Sequence, residues 1–406
     1  MLRKTLEEWL QWQENVNPFE IDLQLDRVKK LMSSLDINPP KGRVFTLAGT
    51  NGKGSCAAVI SGVLRHNGYK TGTYTSPHLI KYNERISING KPVSDIALTH
   101  AFERIEASRN DIPLTFFEFG TLAAWLIFQD SDCDAWVLEV GLGGRLDAVN
   151  AIDPDYALIS TIGLDHQNWL GNTIEDIAAE KAGIIRPNKP VIFGDKPVPL
   201  AIRQQAKKNH SKLYSLDDHF TFKVKNDSWC WQGLDVELEE IQLPFPCSPA
   251  QLRNISASLA VLAAFDKNLI LDKKLSGLLS KFVRLPGRFQ IYRDSHLWVL
   301  DVAHNTQAAI ELKAGLKLMC NESPTIILGM SADKDVSEFV NVLSDIAGQW
   351  IFSSIESTRG VCSKNLEDFL VNKTKDYVLT ESIHEACDIA RRITPVNGHI
   401  LVCGSF

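Results

Sequence analysis

Val44-Phe45-Thr46-Leu47-Ala48-Gly49-Thr50-Asn51-Gly52-Lys53-Gly54-Ser55 is the stretch from which the fold can be read. Val44–Ala48 has the character of a short buried strand, Gly49–Gly54 is a glycine-rich turn, and the small, apolar Cys56–Leu64 reads as a helix that Asn67-Gly68 ends. Glycines let backbone N–H groups close around phosphate oxygens. A helix N-terminus adds partial positive charge there, and Lys53 supplies a mobile full one. The usual phosphate loop has Gly-Lys followed at once by Ser or Thr, whereas Gly54 intervenes before Ser55. The bland alternative is a strand-to-helix turn that is merely rich in glycine.

Outward from this turn, apolar runs recur at Ala135–Val140, Ala157–Ile162 and Val191–Gly194, separated by helical patterns at Glu118–Phe128 and Ile174–Ile185. Strands alternating with helices predict a largely parallel sheet covered on both faces. Upstream, Leu6–Leu10 and Leu23–Leu35 read as helical. Between Leu213 and Leu243 the pattern turns to alternating, aromatic-rich segments, which predict an antiparallel flap or edge extension, and Ser248-Pro249 then starts a helix. The Pro-Gly turn in Leu285-Pro286-Gly287-Arg288 marks a joint. After it, the runs Trp298–Val302, Thr325–Leu328, Trp350–Phe352 and Ile400–Cys403 alternate with helical stretches, a second α/β pattern. The expected fold class is therefore α/β: an N-terminal phosphate-loop domain with a mostly parallel sheet (residues 1–286) and a smaller, doubly wound C-terminal domain (287–406).

With 43 Lys+Arg against 49 Asp+Glu, the net charge of −6 and the absence of a basic tract argue against a nucleic-acid partner. No apolar run is long enough to span a membrane, and the first ten residues are too acidic for a signal peptide. The eight cysteines are scattered without a Cys-x-x-Cys pair, so they read as cytosolic thiols and not as disulfides or a zinc site.

Polar groups recur where strands should end: Thr75-Ser76-Pro77, Glu139 ahead of Gly141-Leu142-Gly143-Gly144-Arg145-Leu146-Asp147, and Asp165-His166. In a parallel sheet that opens with a phosphate loop, these ends converge on the nucleotide. A serine hydroxyl, a carboxylate and an imidazole suit Mg²⁺ when phosphate oxygens and waters complete its shell. Read on composition alone, Lys181, in a helix that Thr173 would cap, is a solvated lysine.

The motifs GTNGKGS (49–55), TSPHL (75–79), LTFFEFGT (114–121), LEVGLGGRLDAVN (138–150), LDHQNWLG (164–171), EKAGI (180–184), LPGRFQ (285–290), DVAHN (301–305) and VCGSF (402–406) follow in order over nearly the whole chain. Together they resemble the bacterial dihydrofolate synthase/folylpolyglutamate synthases of the Mur ligase superfamily. The resemblance implies an ATP-dependent ligase that joins a carboxylate to the amine of L-glutamate through an acyl phosphate, with dihydropteroate or reduced folates as the other substrate. It implies a monomeric cytoplasmic enzyme. Asn51, Gly52, Lys53, Gly54 and Ser55 would hold ATP phosphates, and Asn254, Arg288 and Asp301 would grip the rest of the nucleotide. Ser76, Glu139 and His166 match magnesium ligands. Lys181 matches a carbamylated lysine, which reverses its bland reading. Phe117, Glu118, Leu146, Asp147 and Ala148 fall on stretches that line a pteroate pocket. In such a ligase His304 and Asn305 would face the incoming glutamate or phosphate. Two positions depart from the family pattern: Thr306 follows DVAHN where proline is usual, and Ile255 follows Asn254 where alanine is common. The alternatives are a Mur-type cell-wall peptide ligase, disfavoured because the stretch before the phosphate loop is short for a UDP-binding domain, and a phosphate-loop switch protein that hydrolyses ATP to change shape.

Overall fold

The computed structural model describes the chain apart from residues 1–3, 18, 20, 39, 227, 244–247, 320–321, 356–359, 368–376 and 406. It resolves into two compact units. The first comprises residues 1–162, 168–243 and 253–283; the second comprises 163–167, 244–252 and 284–406.

The first unit is built on eight strands: β1 (Arg43–Ala48), β2 (Thr71–Tyr74), β3 (Ile86–Ile88), β4 (Lys91–Pro92), β5 (Ala135–Glu139), β6 (Tyr156–Ile159), β7 (Val191–Phe193) and β8 (Leu213–Ser215). Their order is β4-β3-β2-β5-β1-β6-β7-β8. All pairs from β2 through β8 are parallel, and β3 and β4 form an antiparallel edge that the sequence pattern does not reveal. β1 lies between β5 and β6, so the crevice at its C-terminal end is a topological switch point, where open α/β sheets bind ligands. The helices flanking this sheet are amphipathic or wholly apolar. The most buried is Phe116–Asp130, which starts with a capping box between Thr115 and Glu118 and packs Phe119, Leu122, Trp125 and Phe128 into the core. The flap forms a separate three-stranded antiparallel sheet of β9 (Phe220–Lys225), β10 (Ser228–Gly233) and β11 (Val236–Gln242). Trp231 of β10 is fully buried, and its indole N–H donates to Ser256 Oγ at 3.0 Å.

The second unit carries β12 (Gln290–Arg293), β13 (Leu297–Asp301), β14 (Thr325–Gly329), β15 (Gln349–Ser353), β16 (Tyr377–Thr380) and β17 (His399–Gly404), in the order β12-β13-β17-β14-β15-β16. Only β12 is antiparallel to its neighbour. Successive residues of β14 point to opposite faces: Ile326 and Leu328 join a core with Phe339 and Phe352, while Ile327 joins one with Ala386 and Ala390. Both faces are covered, as a continuous apolar run requires. The helix at Pro249–Phe265 is capped as the sequence predicts, with Gln251 N–H donating to Ser248 Oγ at 3.2 Å. Among the described residues six cysteines are free thiols and no helix is long and apolar enough to cross a membrane; Cys247, Cys320 and Phe406 lie outside the described residues.

Candidate functional site

The phosphate loop closes on groups the sequence did not single out. Ser160 and Thr161, which pattern alone assigns to a strand, leave β6 after Ile159 and bind the loop instead. Ser160 Oγ donates to Asn51 O at 2.6 Å, Asn51 N–H donates to Thr161 Oγ1 at 3.1 Å, and Thr50 N–H donates to Thr161 O at 2.9 Å. Gly52 takes φ +86° at the helix N-cap, and a Cβ there would sit 2.4 Å from Asn254 Oδ1. A side chain at position 52 would therefore meet both backbone strain and a clash, while glycine lets the buried Asn254 lie against the loop. Lys53 opens the helix Lys53–His66 and curls back, its Nζ donating to Gly49 O at 2.9 Å and Thr50 O at 3.3 Å. Ser55 is buried one turn in, and Gly54 faces Glu139, whose Oε2 would lie 3.5 Å from a Cβ at that position.

Ser76 and Glu139 come together at the ends of β2 and β5, with Ser76 N–H donating to Glu139 Oε2 at 3.1 Å. A hydroxyl and a buried carboxylate beside a phosphate loop are hard oxygen donors of the kind magnesium takes alongside waters and phosphate. His166 belongs to the second unit. Among the described residues no three His, Cys, Asp or Glu side chains form a metal-binding group by themselves, so an ion here would rely on the serine and on substrate oxygens.

Lys181 is 5% exposed, which overturns the compositional reading of a solvated lysine. It sits in the last turn of Ile174–Ala182 under the 141–145 loop. Gly144 makes this possible, since a Cβ there would lie 2.8 Å from Glu180 O and 3.0 Å from Lys181 Cα. Arg145 clamps the same contact, its N–H donating to Glu180 O at 2.8 Å and its guanidinium pairing with Glu180 at 2.9 Å.

The residues expected to line the pteroate pocket are also gathered in the first unit. Phe117 packs against Tyr74 with ring centroids 5.7 Å apart. Asp147 is buried and accepts from Leu142 N–H at 2.9 Å and Val149 N–H at 3.0 Å, shaping the loop that carries Leu146 and Ala148. Burial pushes its carboxyl up to about 7, against the pull of those N–H groups. Glu118 has a structural occupation: its oxygens take Arg27 Nε at 2.7 and 2.8 Å, and Oε2 also takes Thr115 N–H at 2.8 Å. Arg27 in turn binds Asp22.

In the second unit Asp165 is a hub. Lys334 Nζ reaches Asp165 Oδ1 at 2.7 Å, Asn305 Nδ2 donates to Oδ2 at 3.0 Å, and His304 Nε2 lies 3.7 Å from Oδ2. Burial alone would raise this carboxyl, but His304, His166 and Lys334 outweigh it and hold the group far below the usual carboxylate range. His166, in a left-handed conformation with φ +50°, is pushed down to about 4 by burial, with Lys334 adding to the effect and Asp165 opposing it. It is therefore a neutral imidazole at neutral pH, the form that ligates metals. His304 Nδ1 lies 2.8 Å from Val302 O, and Asn305 Oδ1 accepts from Ala308 N–H at 2.9 Å, capping the helix Thr306–Met319. The carboxylate of Asp301 accepts from Phe289 N–H at 2.7 Å and Ala303 N–H at 2.8 Å, tying the end of β13 to the turn that carries Arg288.

Comparison with known proteins places the chain among the Mur ligases: the Mur ligase middle domain matches residues 47–262, and the Mur ligase glutamate ligase domain matches 287–406. The dihydrofolate synthase/folylpolyglutamate synthase of Escherichia coli strain K12 is 37% identical over 402 residues, covering 99% of this chain and 93% of that protein. The protein of the same description from Bacillus subtilis strain 168 is 34% identical over 86% of this chain and 85% of its own. The solved structure of E. coli FolC in complex with DHPP and ADP matches with a TM-score of 0.91 at 35% identity, covering 99% of this chain and 95% of that one. A bifunctional folylpolyglutamate synthase/dihydrofolate synthase from Yersinia pestis complexed with AMPPNP and Mn ion matches with a TM-score of 0.92 at 36% identity, over 99% and 95%. The chain belongs to the dihydrofolate synthase/folylpolyglutamate synthase family.

Proposed function

We propose that the protein is an ATP- and magnesium-dependent ligase that joins L-glutamate to dihydropteroate and adds further glutamates to reduced folates, acting as a cytoplasmic monomer. The observation that carries this is the phosphate loop with Ser76 and Glu139 beside it, in a chain whose relative of matching fold, at a TM-score of 0.90 and 36% identity, has Mn, AMPPNP and L-glutamate bound. Residues 1–286 are proposed as the ATP and pteroate domain, and 287–406 as the glutamate-ligase domain.

A carboxylate is a poor acylating agent. Transfer of the γ-phosphoryl of ATP converts it to an acyl phosphate; the glutamate amine then attacks the acyl carbon, loses a proton and expels phosphate. Asn51–Ser55 orient the ATP phosphates, Lys53 neutralises charge developing on the transferred group, and Asn254, Arg288 and Asp301 hold the nucleotide. Ser76, Glu139 and His166 would hold magnesium, which shields the phosphate charge when bound. Phe117, Leu146, Asp147 and Ala148 seat the pterin acid, and His304 orients the glutamate or the departing phosphate. Incubation with MgATP, dihydropteroate and glutamate should give glutamylated pteroate with ADP and phosphate released only when all substrates are present. Phosphate release from ATP alone, without glutamylated product, would instead establish the switch reading.

Lys181 is proposed to carry a carbamate. Lys181 is buried; the modification forms when its neutral amine attacks CO₂ and loses a proton, giving an anion with two hard oxygens. Depleting bicarbonate at mildly acidic pH should remove activity, and returning it should restore activity. A carbamate resonance should appear with carbon-13-labelled bicarbonate and be absent from Lys181→Arg. Full activity after depletion, with no such resonance, would exclude the modification.

A further inference from the structure

Arg85 closes the single-turn 3₁₀ helix Tyr82–Arg85 between β2 and β3. Its carbonyl accepts from Thr75 N–H at 2.9 Å, which fixes its backbone to the residue before Ser76. Arg85 is half-buried. The guanidinium carbon lies 5.4 Å from the ring centroids of both Tyr82 and Phe116, and those two rings meet edge to face at 5.5 Å. Nε–H donates to His78 Nδ1 at 2.8 Å. Two rings and an imidazole thus fix the plane of the guanidinium before any ligand arrives.

The remaining donors of the fork are the four Nη–H bonds. Arg27, Arg109 and Arg186 in the same unit each pair with a carboxylate of this chain. Among the described residues no carboxylate pairs with Arg85. A permanently charged, pre-oriented fork is built for a planar oxyanion, and the rings that hold it lose little entropy when one binds. Phe116, which the guanidinium covers, begins the same helix turn as Phe117. Arg85 is thus tied through its backbone to the residue before Ser76 and through its side chain to Phe116, the neighbour of Phe117 in the sequence.

We propose that Arg85 is the carboxylate-recognition residue of the acceptor site, its Nη fork taking the benzoate carboxylate of a pterin-bearing acid. The inference rests on the function proposed above and deepens it. The probes are dihydropteroate and its decarboxylated counterpart, in which a plain aniline ring replaces the aminobenzoate. Calorimetric affinities for both are measured on the full chain as wild type, Arg85→Met and Arg85→Lys, with nucleotide binding as the check that each variant is folded. Wild type should bind the acid about 10–100-fold more tightly than the neutral ligand. Arg85→Met should lose that preference, weakening the acid by the same factor while holding the neutral ligand within about twofold, and Arg85→Lys should fall between. Equal weakening of both ligands in Arg85→Met would mean that Arg85 only supports the aromatic wall, and unchanged affinity for the acid would mean that it does not touch it; either overturns the proposal. A wild type that binds neither ligand and forms no glutamylated product would overturn the function itself. One that forms product while Arg85→Met keeps full preference for the acid overturns the role of Arg85 alone.

Discussion

Replacing Lys53 with methionine should lower the rate of ADP release in the complete reaction by about 100- to 1,000-fold while leaving the fold intact, the size of loss seen when one preorganised donor to developing charge is removed. Methionine keeps most of the aliphatic stem and forfeits the ammonium, which donates to the carbonyls of Gly49 and Thr50. The loop amides and the N-terminus of Lys53–His66 still offer partial charge, which is why nucleotide binding should weaken far less than turnover. Steady-state kinetics, together with nucleotide affinity, separates the two. A variant keeping a third or more of wild-type turnover would place the charge-neutralising group elsewhere.

The second large effect concerns the hub in the smaller unit. Asp165→Ala removes the 2.7 Å counter-ion of Lys334, whose side chain is 8% exposed, leaving it only the longer 3.5 Å contact with the more exposed Asp333, and removes the carboxylate that accepts from Asn305 Nδ2. Breaking one partner of such a pair costs about 3–5 kcal/mol, whereas replacing both by apolar groups is often neutral. Asp165→Ala should therefore speed hydrogen exchange of the β13, β14 and β17 amides, and the double variant Asp165→Leu with Lys334→Met should recover most of the protection. Exchange is the appropriate measure because a chain of two compact units need not unfold in one step. Wild-type protection in Asp165→Ala would show that the hub does not hold these strands.

What the sequence revealed follows from how local each signal is. The strand, loop and helix around Lys53 were legible because every residue from Val44 to Leu64 contributes to one continuous pattern. β3, β4 and β12 were not, since they are two to four residues long and owe their pairing to neighbours. Thr71–Tyr74 lacks an apolar run yet is wholly buried, because Phe128 fills the space beside Gly72. The extension of a strand through Ser160 and Thr161 failed for a physical reason: their hydroxyls have better partners in the phosphate loop than in a ladder. Lys334, flanked by Asp333 and Asp335, has the local composition of a solvated turn. Nothing nearby announces a partner 169 residues away. Similarly, Glu118 was visible as part of a motif, but its pairing with Arg27 draws on a residue 91 positions earlier.

The second unit is assembled from three separated pieces, 163–167, 244–252 and 284–406. On a ribosome adding about 5–20 residues per second, Asp165 waits roughly 10–30 s before Lys334 is even made. The carboxylate spends that interval in water. A protein engineer who cuts at residue 286 to obtain the downstream half as a portable module would synthesise Lys334, His304 and Asn305 without Asp165, the group around which they are arranged. Swapping that half between relatives calls for carrying 163–167 and 244–252 across with it, as a graft of three pieces and not one.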